Sequence, residues 1–228
     1  KQKKKATKYF KECIICLDEE RYSDAIIKIN NAITENPKEL EYHISKITIL
    51  FELDRVQEAI GYLNKTVDLF PKESVIYNMR GGIMELVRYF ELAVEDFSQA
   101  IKYADNDKEK AIYYSNRGGS RSQLMDYEGA YEDLMNAYKL DADNKEVLNN
   151  LACTYKAVGE SERSLVYFDK ALKLKPDDET LLYNVGMTCM ELHQKEKAMQ
   201  HFKNYLKLAP NGYHTTEVNS WIEKLKDS

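Results

Sequence analysis

The sequence predicts an all-α protein built from consecutive helical hairpins of equal length. Two observations indicate the hairpins: proline recurs at a spacing of 34 residues, and apolar residues recur with the period of a helix. The four prolines form two such pairs, Pro37 with Pro71 and Pro176 with Pro210. Composition is the third observation. Only 13 of the 228 residues are Gly or Pro and 31% are charged, which favours a folded, helix-rich chain over a disordered one.

Residues 145–178 contain the clearest single unit. Four residues of its first half lie at offsets of 0, 3, 4 and 7, the spacing of one helical face: Leu148, Leu151, Ala152 and Tyr155. Gly159 interrupts this run, and a second helical stripe follows it: Ser164, Phe168, Ala171 and Leu172. Pro176 ends the unit, because proline cannot occupy the interior of a helix. The pattern predicts two amphipathic helices joined by a tight turn.

This unit resembles the tetratricopeptide repeat, whose period is 34 residues and whose pattern is Leu, Gly/Ala, Tyr, then Ala, Phe, Ala, Pro. The resemblance implies a right-handed α-solenoid of antiparallel helix pairs. It covers residues 6–212 as six repeats: 6–39, 40–73, 74–107, 111–144, 145–178 and 179–212. Residues 213–228 follow, with Val218, Trp221, Ile222 and Leu225 on one face. We expect a capping helix that covers the last repeat; the alternative is a mobile helix offered to a partner.

Two parts of the array depart from the pattern. In the second repeat, His43 and Lys46 occupy positions that are usually apolar. The third and fourth repeats share the motif Tyr-x-x-Arg-Gly-Gly, at residues 77–82 and 114–119. The glycines of this motif should let a neighbouring helix approach closely. Three extra residues, 108–110, separate these repeats. Either they extend the next helix, with Asp105 or Asp107 as its N-cap, or they lengthen the loop.

Composition and charge exclude some classes of function. The net charge of −5 and the pI near 5.6 argue against a general nucleic-acid binder. The basic cluster at residues 1–5 fits a solvated helix start. No apolar run approaches the roughly 20 residues that cross a bilayer, so we predict no membrane insertion. We expect a cytoplasmic protein, although the chain does not begin with Met and an upstream signal or anchor stays open.

No residue pattern indicates catalysis, a metal or a cofactor. Cys13 and Cys16 have the C-x-x-C spacing, but both fall on core positions of a predicted helix and no second pair follows at zinc spacing. We interpret them as buried small apolar residues. The four histidines are scattered, and no nucleophile elbow, phosphate-binding loop or triad motif is present. The prediction is a non-enzymatic protein without a cofactor.

The resemblance also implies where a partner binds, since tetratricopeptide arrays usually bind peptides on the concave face formed by the first helices. Thirteen candidate groove residues follow from the register: Phe10, Ile14, Ile44, Asn78, Met79, Gly82, Asn116, Gly119, Asn149, Asn150, Tyr183, Asn184 and Met187. The N-terminal half of this set is mostly apolar and the C-terminal half is rich in amides. Asn116, Asn150 and Asn184 share one repeat position and could pair with a peptide backbone. The alternative is that Asn is simply common at this position in the family.

A second binding mode of the family is the carboxylate clamp, which captures the C-terminus of a chaperone. It requires lysine and arginine at set positions of three consecutive repeats, and no triplet here supplies those cations. Because a desolvated carboxylate needs a paired positive charge, the sequence argues against this mode. We expect a protein or peptide partner. The alternatives are a self-associating spacer, hence a homo-oligomer, and the targeting arm of a larger multidomain protein.

Overall fold

The structure, a computed structural model, describes residues 2–227, with side chains described for residues 2–226. Over this range the chain forms thirteen α-helices and no strand. They are α1 (Gln2–Asp18), α2 (Tyr22–Glu35), α3 (Leu40–Glu52), α4 (Val56–Leu69), α5 (Ser74–Leu86), α6 (Phe90–Tyr103), α7 (Asp107–Gln123), α8 (Tyr127–Leu140), α9 (Lys145–Ala157), α10 (Ser161–Leu174), α11 (Glu179–Glu191), α12 (Lys195–Leu208) and α13 (Thr215–Asp227). The predicted all-α class is confirmed.

The helices pair into six hairpins, numbered 1 to 6 from α1–α2 to α11–α12, and α13 follows the last. The chain divides into two compact units, Lys1–Ala104 and Asp105–Ser228. In the first unit each hairpin packs on the next through the contacts of α2 with α3 and of α4 with α5. In the second unit α8 contacts α9, α10 contacts α11, and α12 contacts α13. Each unit is therefore a stack of neighbouring hairpins, which is the solenoid arrangement.

One residue in the left-handed backbone region ends the first helix of every hairpin. These residues are Glu20, Asp54, Arg88, Met125, Gly159 and His193, with φ between 55° and 80°. The amide N–H that follows each of them donates to a carbonyl five residues earlier, for example Glu160 N to Tyr155 O at 2.9 Å. This is the geometry of the Schellman motif, in which glycine is favoured. Only Gly159 supplies it, so the turn that stood out in the sequence is one of six equivalent turns.

Small residues allow the two helices of a hairpin to approach closely, as the sequence predicted. A Cβ added to Gly81 would lie 2.7 Å from Cε1 of Phe97. At Gly118 it would lie 2.8 Å from Cγ of Leu134, and at Gly186 2.5 Å from a ring carbon of Phe202. The expectation was wrong for Gly82, because a Cβ there would meet nothing within 4 Å. Only the first glycine of the Gly-Gly pair serves packing.

The extra residues between hairpins 3 and 4 extend a helix. Helix α7 has 17 residues, whereas α3, α5, α9 and α11 have 13 each. Its N-cap is Asn106, whose side-chain oxygen accepts from the backbone N–H of Glu109 at 2.9 Å, while its amide donates to the Glu109 carboxylate at 3.0 Å. The prediction of Asp105 or Asp107 as the cap was therefore wrong by one residue. The reciprocal bonding resembles a capping box, which needs a side chain one position before the helix.

In hairpin 2 the polar residues at usually apolar positions, His43 and Lys46, both have interaction partners. The His43 ring is buried and bonds through Nε2 to the Pro37 carbonyl at 2.8 Å and through Nδ1 to the Tyr62 hydroxyl at 2.6 Å. Burial lowers the pKa of His43, the bond to Pro37 opposes this, and the charge of Lys46 adds to it. The Lys46 ammonium lies over the Tyr62 ring at 4.1 Å from its centroid. These departures from the repeat pattern are compensated locally.

The ends of the chain follow the sequence predictions. Cys13 and Cys16 are both buried in the first hairpin, and burial raises the pKa of the Cys13 thiol to about 11. At the other end, α13 packs on α12 and buries Val218, Ile222 and Leu225. The outward residues of α13 are polar, so this helix covers the apolar face of hairpin 6 in the way a capping helix should.

Candidate functional site

All thirteen predicted groove residues lie on the first helices of their hairpins. Helix α1 carries Phe10 and Ile14, α3 carries Ile44, α5 carries Asn78, Met79 and Gly82, α7 carries Asn116 and Gly119, α9 carries Asn149 and Asn150, and α11 carries Tyr183, Asn184 and Met187. None of the thirteen is buried: Ile14 and Gly82 are exposed and the others are half-buried. Half-buried side chains of this kind contact the core on one side and stay accessible to solvent on the other. Five or more of these residues belong to each of the two compact units.

In the first unit the candidate face is apolar. The Phe10 ring packs on the Tyr42 ring, with centroids 4.8 Å apart and a 38° tilt. Ile44 and Met79 pack partly against the core cluster of hairpins 2 and 3. Ile14 is the most accessible large apolar residue of the set, at 39% exposure. Phe10, Ile44 and Met79 are held by contacts with core clusters, and Ile14 is not among the residues packed there.

In the second unit the candidate face carries a chain of side-chain amides. Asn184 on α11 donates from Nδ2 to Oδ1 of Asn149 on α9, at 3.4 Å. Asn149 donates to Oδ1 of its neighbour Asn150, also at 3.4 Å. Asn150 donates to Oγ and to the backbone oxygen of Ser115 on α7, at 3.1 and 3.4 Å. The amides therefore form one directed chain that links three consecutive first helices.

The bonds in this amide chain are long. Three of the four exceed the usual 2.7–3.2 Å for an N–H···O bond, and long bonds contribute little. The side chains are thus oriented across the face while keeping hydrogen-bonding capacity, since each amide has two donor hydrogens and an acceptor with two lone pairs. A peptide backbone, which alternates C=O and N–H, matches that capacity.

A cavity of about 230 Å³ opens beside the amide chain. Its lining includes Asn116, Asn149, Asn150, Lys145, Asp178 and Thr180. The Lys145 ammonium lies 2.8 Å from the Asp178 carboxylate and 3.2 Å from that of Glu146. The bond to Asp178 is the main cause that raises the pKa of Lys145. Although burial opposes it, the same bond and the Leu181 N–H lower the pKa of Asp178, so both groups are charged at neutral pH.

Tyr183 is held by the capping helix. Its hydroxyl donates to the Glu217 carboxylate at 3.0 Å, and its ring stacks on His214 with centroids 3.8 Å apart. Burial, and then the bond to Glu217, raise the pKa of Tyr183 to about 12. The hydroxyl is therefore a neutral donor that is already engaged, and a ligand would meet the ring. The cap orders one end of the candidate face.

Sequence reasoning missed three contributors to this face: Lys145, Asp178 and Glu217. Lys145 and Asp178 were treated as the ends of a repeat, yet they pair across 33 positions and line the cavity. In the sequence each was visible only as a charged residue next to a helix start. Glu217 was assigned to the polar side of the cap, where no periodicity indicated a bond to Tyr183.

The fold and the exposed first-helix faces define a helical-repeat scaffold for protein–protein interaction. A family model for the tetratricopeptide repeat matches residues 145–178 and 179–211. The chain therefore contains tetratricopeptide repeats at these residues, and proteins built from such repeats are in general scaffolds rather than enzymes.

Known proteins resemble parts or all of the chain. The Hsp70-Hsp90 organizing protein of Triticum aestivum is 25% identical over 91 residues, which cover 40% of this chain and 16% of that protein. In the crystal structure of the APC/C hetero-tetramer Cut9–Hcn1, one chain superposes with a TM-score of 0.80 at 15% identity, covering 97% of this chain and 43% of that one. PilW, a type IV pilus biogenesis factor, gives 0.81 at 16% identity over 93% and 97%. The chain thus spans less than half of the first two, and the structural likenesses establish the fold.

Among residues 2–227 no helix combines the length and the apolar character needed to traverse a lipid bilayer. Over the same residues, no group of three or more His, Cys, Asp or Glu side chains is arranged to hold a metal ion.

Proposed function

We propose that the chain binds an extended peptide segment of a partner protein on the amide-rich face of its second unit. The observation that carries this proposal is the directed amide chain from Asn184 to Ser115, which crosses three consecutive first helices beside a cavity. The apolar face of the first unit is a separate contact surface for apolar side chains. Apart from the exposed Ile14 and Gly82, both surfaces are formed by half-buried residues that the folded core holds in place.

Geometry supports a backbone ligand over a compact one. Packed helices lie about 8–10 Å apart, and an extended chain rises about 3.3 Å per residue. Successive first helices lie side by side, as the contact of α7 with α9 shows, so their amides would meet the ligand at intervals of about three residues. Backbone contacts of this kind carry little side-chain information, and selectivity would come from the cavity beside Lys145 and Asp178.

The wheat relative's name connects it with Hsp70 and Hsp90, which makes a chaperone a candidate partner. Capture of a free chaperone C-terminus is not the mode we propose. The cation beside the amide chain, Lys145, already lies within 2.8 and 3.2 Å of two carboxylates. A ligand carboxylate there would meet two like charges for one cation, which is unfavourable in a partly buried site.

The test uses a displayed library of random peptides about 10 residues long, each spanning about 33 Å when extended. Peptides selected on the whole chain are then measured by calorimetry against the triple variant Asn116→Ala, Asn150→Ala, Asn184→Ala. Each lost hydrogen bond is worth about 0.5–1.5 kcal/mol, so the triple variant should bind at least about tenfold more weakly. Free and amidated peptide C-termini should bind alike.

Asn31→Ala is the matched control, because Asn31 is exposed on a second helix. Thermal unfolding of each variant separates binding from folding, since Asn150 and Asn184 also bond within the chain. Undiminished affinity in a folded triple variant would reject the amide face and favour the self-associating spacer. A strict requirement for a free C-terminal carboxylate would instead point to the clamp.

A further inference from the structure

Outside the amide face, the second unit has a cavity of about 400 Å³ between the start of α8, the end of α9 and the start of α10. Its lining combines three tyrosine rings, two carboxylates and one guanidinium, those of Tyr127, Tyr131, Tyr155, Glu128, Glu160 and Arg163. No residue of this lining is shared with the cavity beside Lys145. Tyr155 follows Asn150 by five positions, about 140° around α9, so the cavity lies on a different side of that helix.

The cavity already holds one cation of the chain itself. The Arg163 guanidinium lies over the Tyr155 ring, 5.8 Å from its centroid, and donates to the Glu160 carboxylate at 2.8 Å. Tyr167 stacks on Tyr155 with centroids 5.4 Å apart. Burial, and then a hydrogen bond with Tyr131, raise the pKa of Tyr155, so its ring is neutral at physiological pH. Arg163 and Glu160 therefore neutralise each other beside an aromatic surface that is compatible with positive charge.

The α8 side of the cavity has rings and a carboxylate for which the chain supplies no cation. Tyr127 and Tyr131 are one helical turn apart on one face of α8, and Glu128 precedes Tyr131 by three positions. In the part of the chain that the structure describes, Glu128 forms no ion pair and no cation lies over either ring. Tyr131 is 43% exposed and Val158, which also lines the cavity, is 46% exposed. The lining is thus open to a ligand, and two carboxylates against one guanidinium leave it with a net charge of −1.

The corresponding cavity of hairpin 3, of about 410 Å³, has no charge at the equivalent positions. Five lining positions recur after an interval of two repeats plus the three extra residues: Gln57, Ile60, Met84, Tyr89 and Leu92 correspond to Glu128, Tyr131, Tyr155, Glu160 and Arg163. The hairpin fold therefore does not require the carboxylates or the paired rings. Their presence in hairpin 5 is specific to that cavity, which favours a binding role over a packing role.

We propose that this cavity binds an arginine side chain carried by a segment of a partner protein. Glu128 accepts from the guanidinium, the Tyr127 and Tyr131 rings provide faces for it, and Val158 contacts the methylene stem. Arginine fits better than lysine, because its planar, weakly hydrated group can stack on a ring while it bonds to a carboxylate. One bound arginine cancels the net charge of the lining. This site is independent of the peptide-binding proposal.

The chain's own arginines are a poor source of that side chain. Six of the seven pair with carboxylates in the described structure: Arg21, Arg55, Arg80, Arg117, Arg121 and Arg163. The seventh, Arg88, lies over the Phe90 ring at 5.3 Å from its centroid. A partner protein with an unpaired arginine is therefore the favoured occupant, and Arg88 is the residue through which a second copy would compete.

The probe is the capped tripeptide Gly-Arg-Gly, titrated into the isotope-labelled whole chain and followed by the amide chemical shifts of residues 127–131 and 154–163. A single side chain binds weakly, and we expect saturable shifts with a dissociation constant on the order of 1 mM. The same tripeptide with citrulline, which keeps the shape but lacks the charge, should bind at least about tenfold more weakly. The triple variant at Asn116, Asn150 and Asn184 should bind the arginine peptide as the original chain does, which separates this site from the amide face.

Two variants convert the cavity towards that of hairpin 3. Glu128→Gln and Tyr131→Ile install the residues found at Gln57 and Ile60. Each should weaken binding at least about fivefold, through the lost charge or the lost ring face. Glu132→Gln is the matched control, since Glu132 is exposed on α8 outside the cavity, and it should leave affinity unchanged. Glu128 lies in the first turn of α8, where a carboxylate also favours the helix, so thermal unfolding is recorded for each variant.

Absence of saturable shifts, or equal affinity for the arginine and citrulline peptides, would overturn the proposal. Undiminished binding by folded Glu128→Gln, or equal losses in Glu128→Gln and Glu132→Gln, would do the same. Sedimentation of the chain alone is the remaining arm. A dimer that Arg88→Ala and Glu128→Gln both dissociate would assign the cavity to a second copy instead of a partner protein.

Discussion

The Arg117 guanidinium forms a two-point ion pair with the carboxylate of Asp133, with Nε 2.8 Å from Oδ2 and Nη2 2.6 Å from Oδ1. Arg80 and Asp96 repeat the arrangement in the preceding hairpin at the same two distances. Both aspartates are buried, and each pair joins the two helices of its hairpin. The two arginines belong to the shared Tyr-x-x-Arg-Gly-Gly motif, so this motif specifies an ion pair as well as a close helix contact.

Asp133→Ala should be strongly destabilising. It leaves Arg117 and also Arg121, whose Nη1 lies 2.9 Å from Oδ2, without their buried partner. Removing one member of a buried pair costs about 3–5 kcal/mol, which urea unfolding followed by circular dichroism would measure. Asp143→Ala, at an exposed loop position, should stay within about 0.5 kcal/mol. Equal stabilities of the two variants would mean that the pair contributes nothing.

The adjacent glycines of hairpin 3 should respond to alanine with opposite signs. Gly81→Ala places a methyl group 2.7 Å from the Phe97 ring and should cost about 1–3 kcal/mol. Gly82→Ala meets open space inside a helix and should stabilise the chain by about 0.5–1 kcal/mol. The two variants control for each other in a denaturant titration. Destabilisation by Gly82→Ala would indicate that this position needs glycine for another reason.

Substitutions at the left-handed residues of the hairpin turns should change stability in opposite directions. Gly159 has φ near 80°, and alanine there should lose about 1–2 kcal/mol, because a Cβ crowds the following carbonyl oxygen. Met125 occupies the equivalent position with φ near 62° and is 75% exposed, so Met125→Gly gives up little packing. It should raise the free energy of unfolding by up to about 1 kcal/mol. An unchanged or lower value would show that the left-handed turn is not strained at Met125.

Stability should fall as the pH is lowered from about 7 to about 5, in part through His43. Burial holds the folded-state pKa of His43 below its ordinary value of 6.5. The unfolded chain then takes up a proton that the folded chain refuses, so the neutral ring contributes stability above that ordinary pKa that is lost on acidification. His43→Gln should show a shallower decline of the melting temperature over this range. The same slope in His43→Gln and the original chain would assign the pH dependence to other groups.

Removal of residues 213–228 should expose the apolar side of hairpin 6. Helix α13 buries Val218, Ile222 and Leu225, and its Glu217 holds Tyr183. We expect a lower melting temperature and concentration-dependent association in sedimentation velocity. Ser220→Ala, on the exposed side of α13, should change neither. A truncated chain that stays monomeric and equally stable would contradict the capping role.

The local parts of the fold could be predicted from the sequence because they depend on neighbours a few residues apart. Residues on one face of a helix are three or four positions apart, and this spacing correctly predicted that Leu148, Leu151 and Tyr155 lie in the core. The 34-residue spacing of the prolines, together with Gly159, marked where several of the helices end. The buried state of Cys13 and Cys16 followed from the same periodicity.

The candidate site depended on contacts that no local pattern encodes. Asn150 reaches Ser115 and Asn184 reaches Asn149 across 35 positions, and both bonds exist only because successive first helices pack side by side. The sequence alone determined that this protein is an array of amphipathic helical hairpins with a polar cap. Only the tertiary structure decided which polar groups meet and that Ile15 stays exposed where Ile49 and Ile83 are buried. The physical reason is that burial and hydrogen bonding depend on the hairpin packed alongside, so equivalent positions differ wherever the neighbouring side chains among the described residues differ.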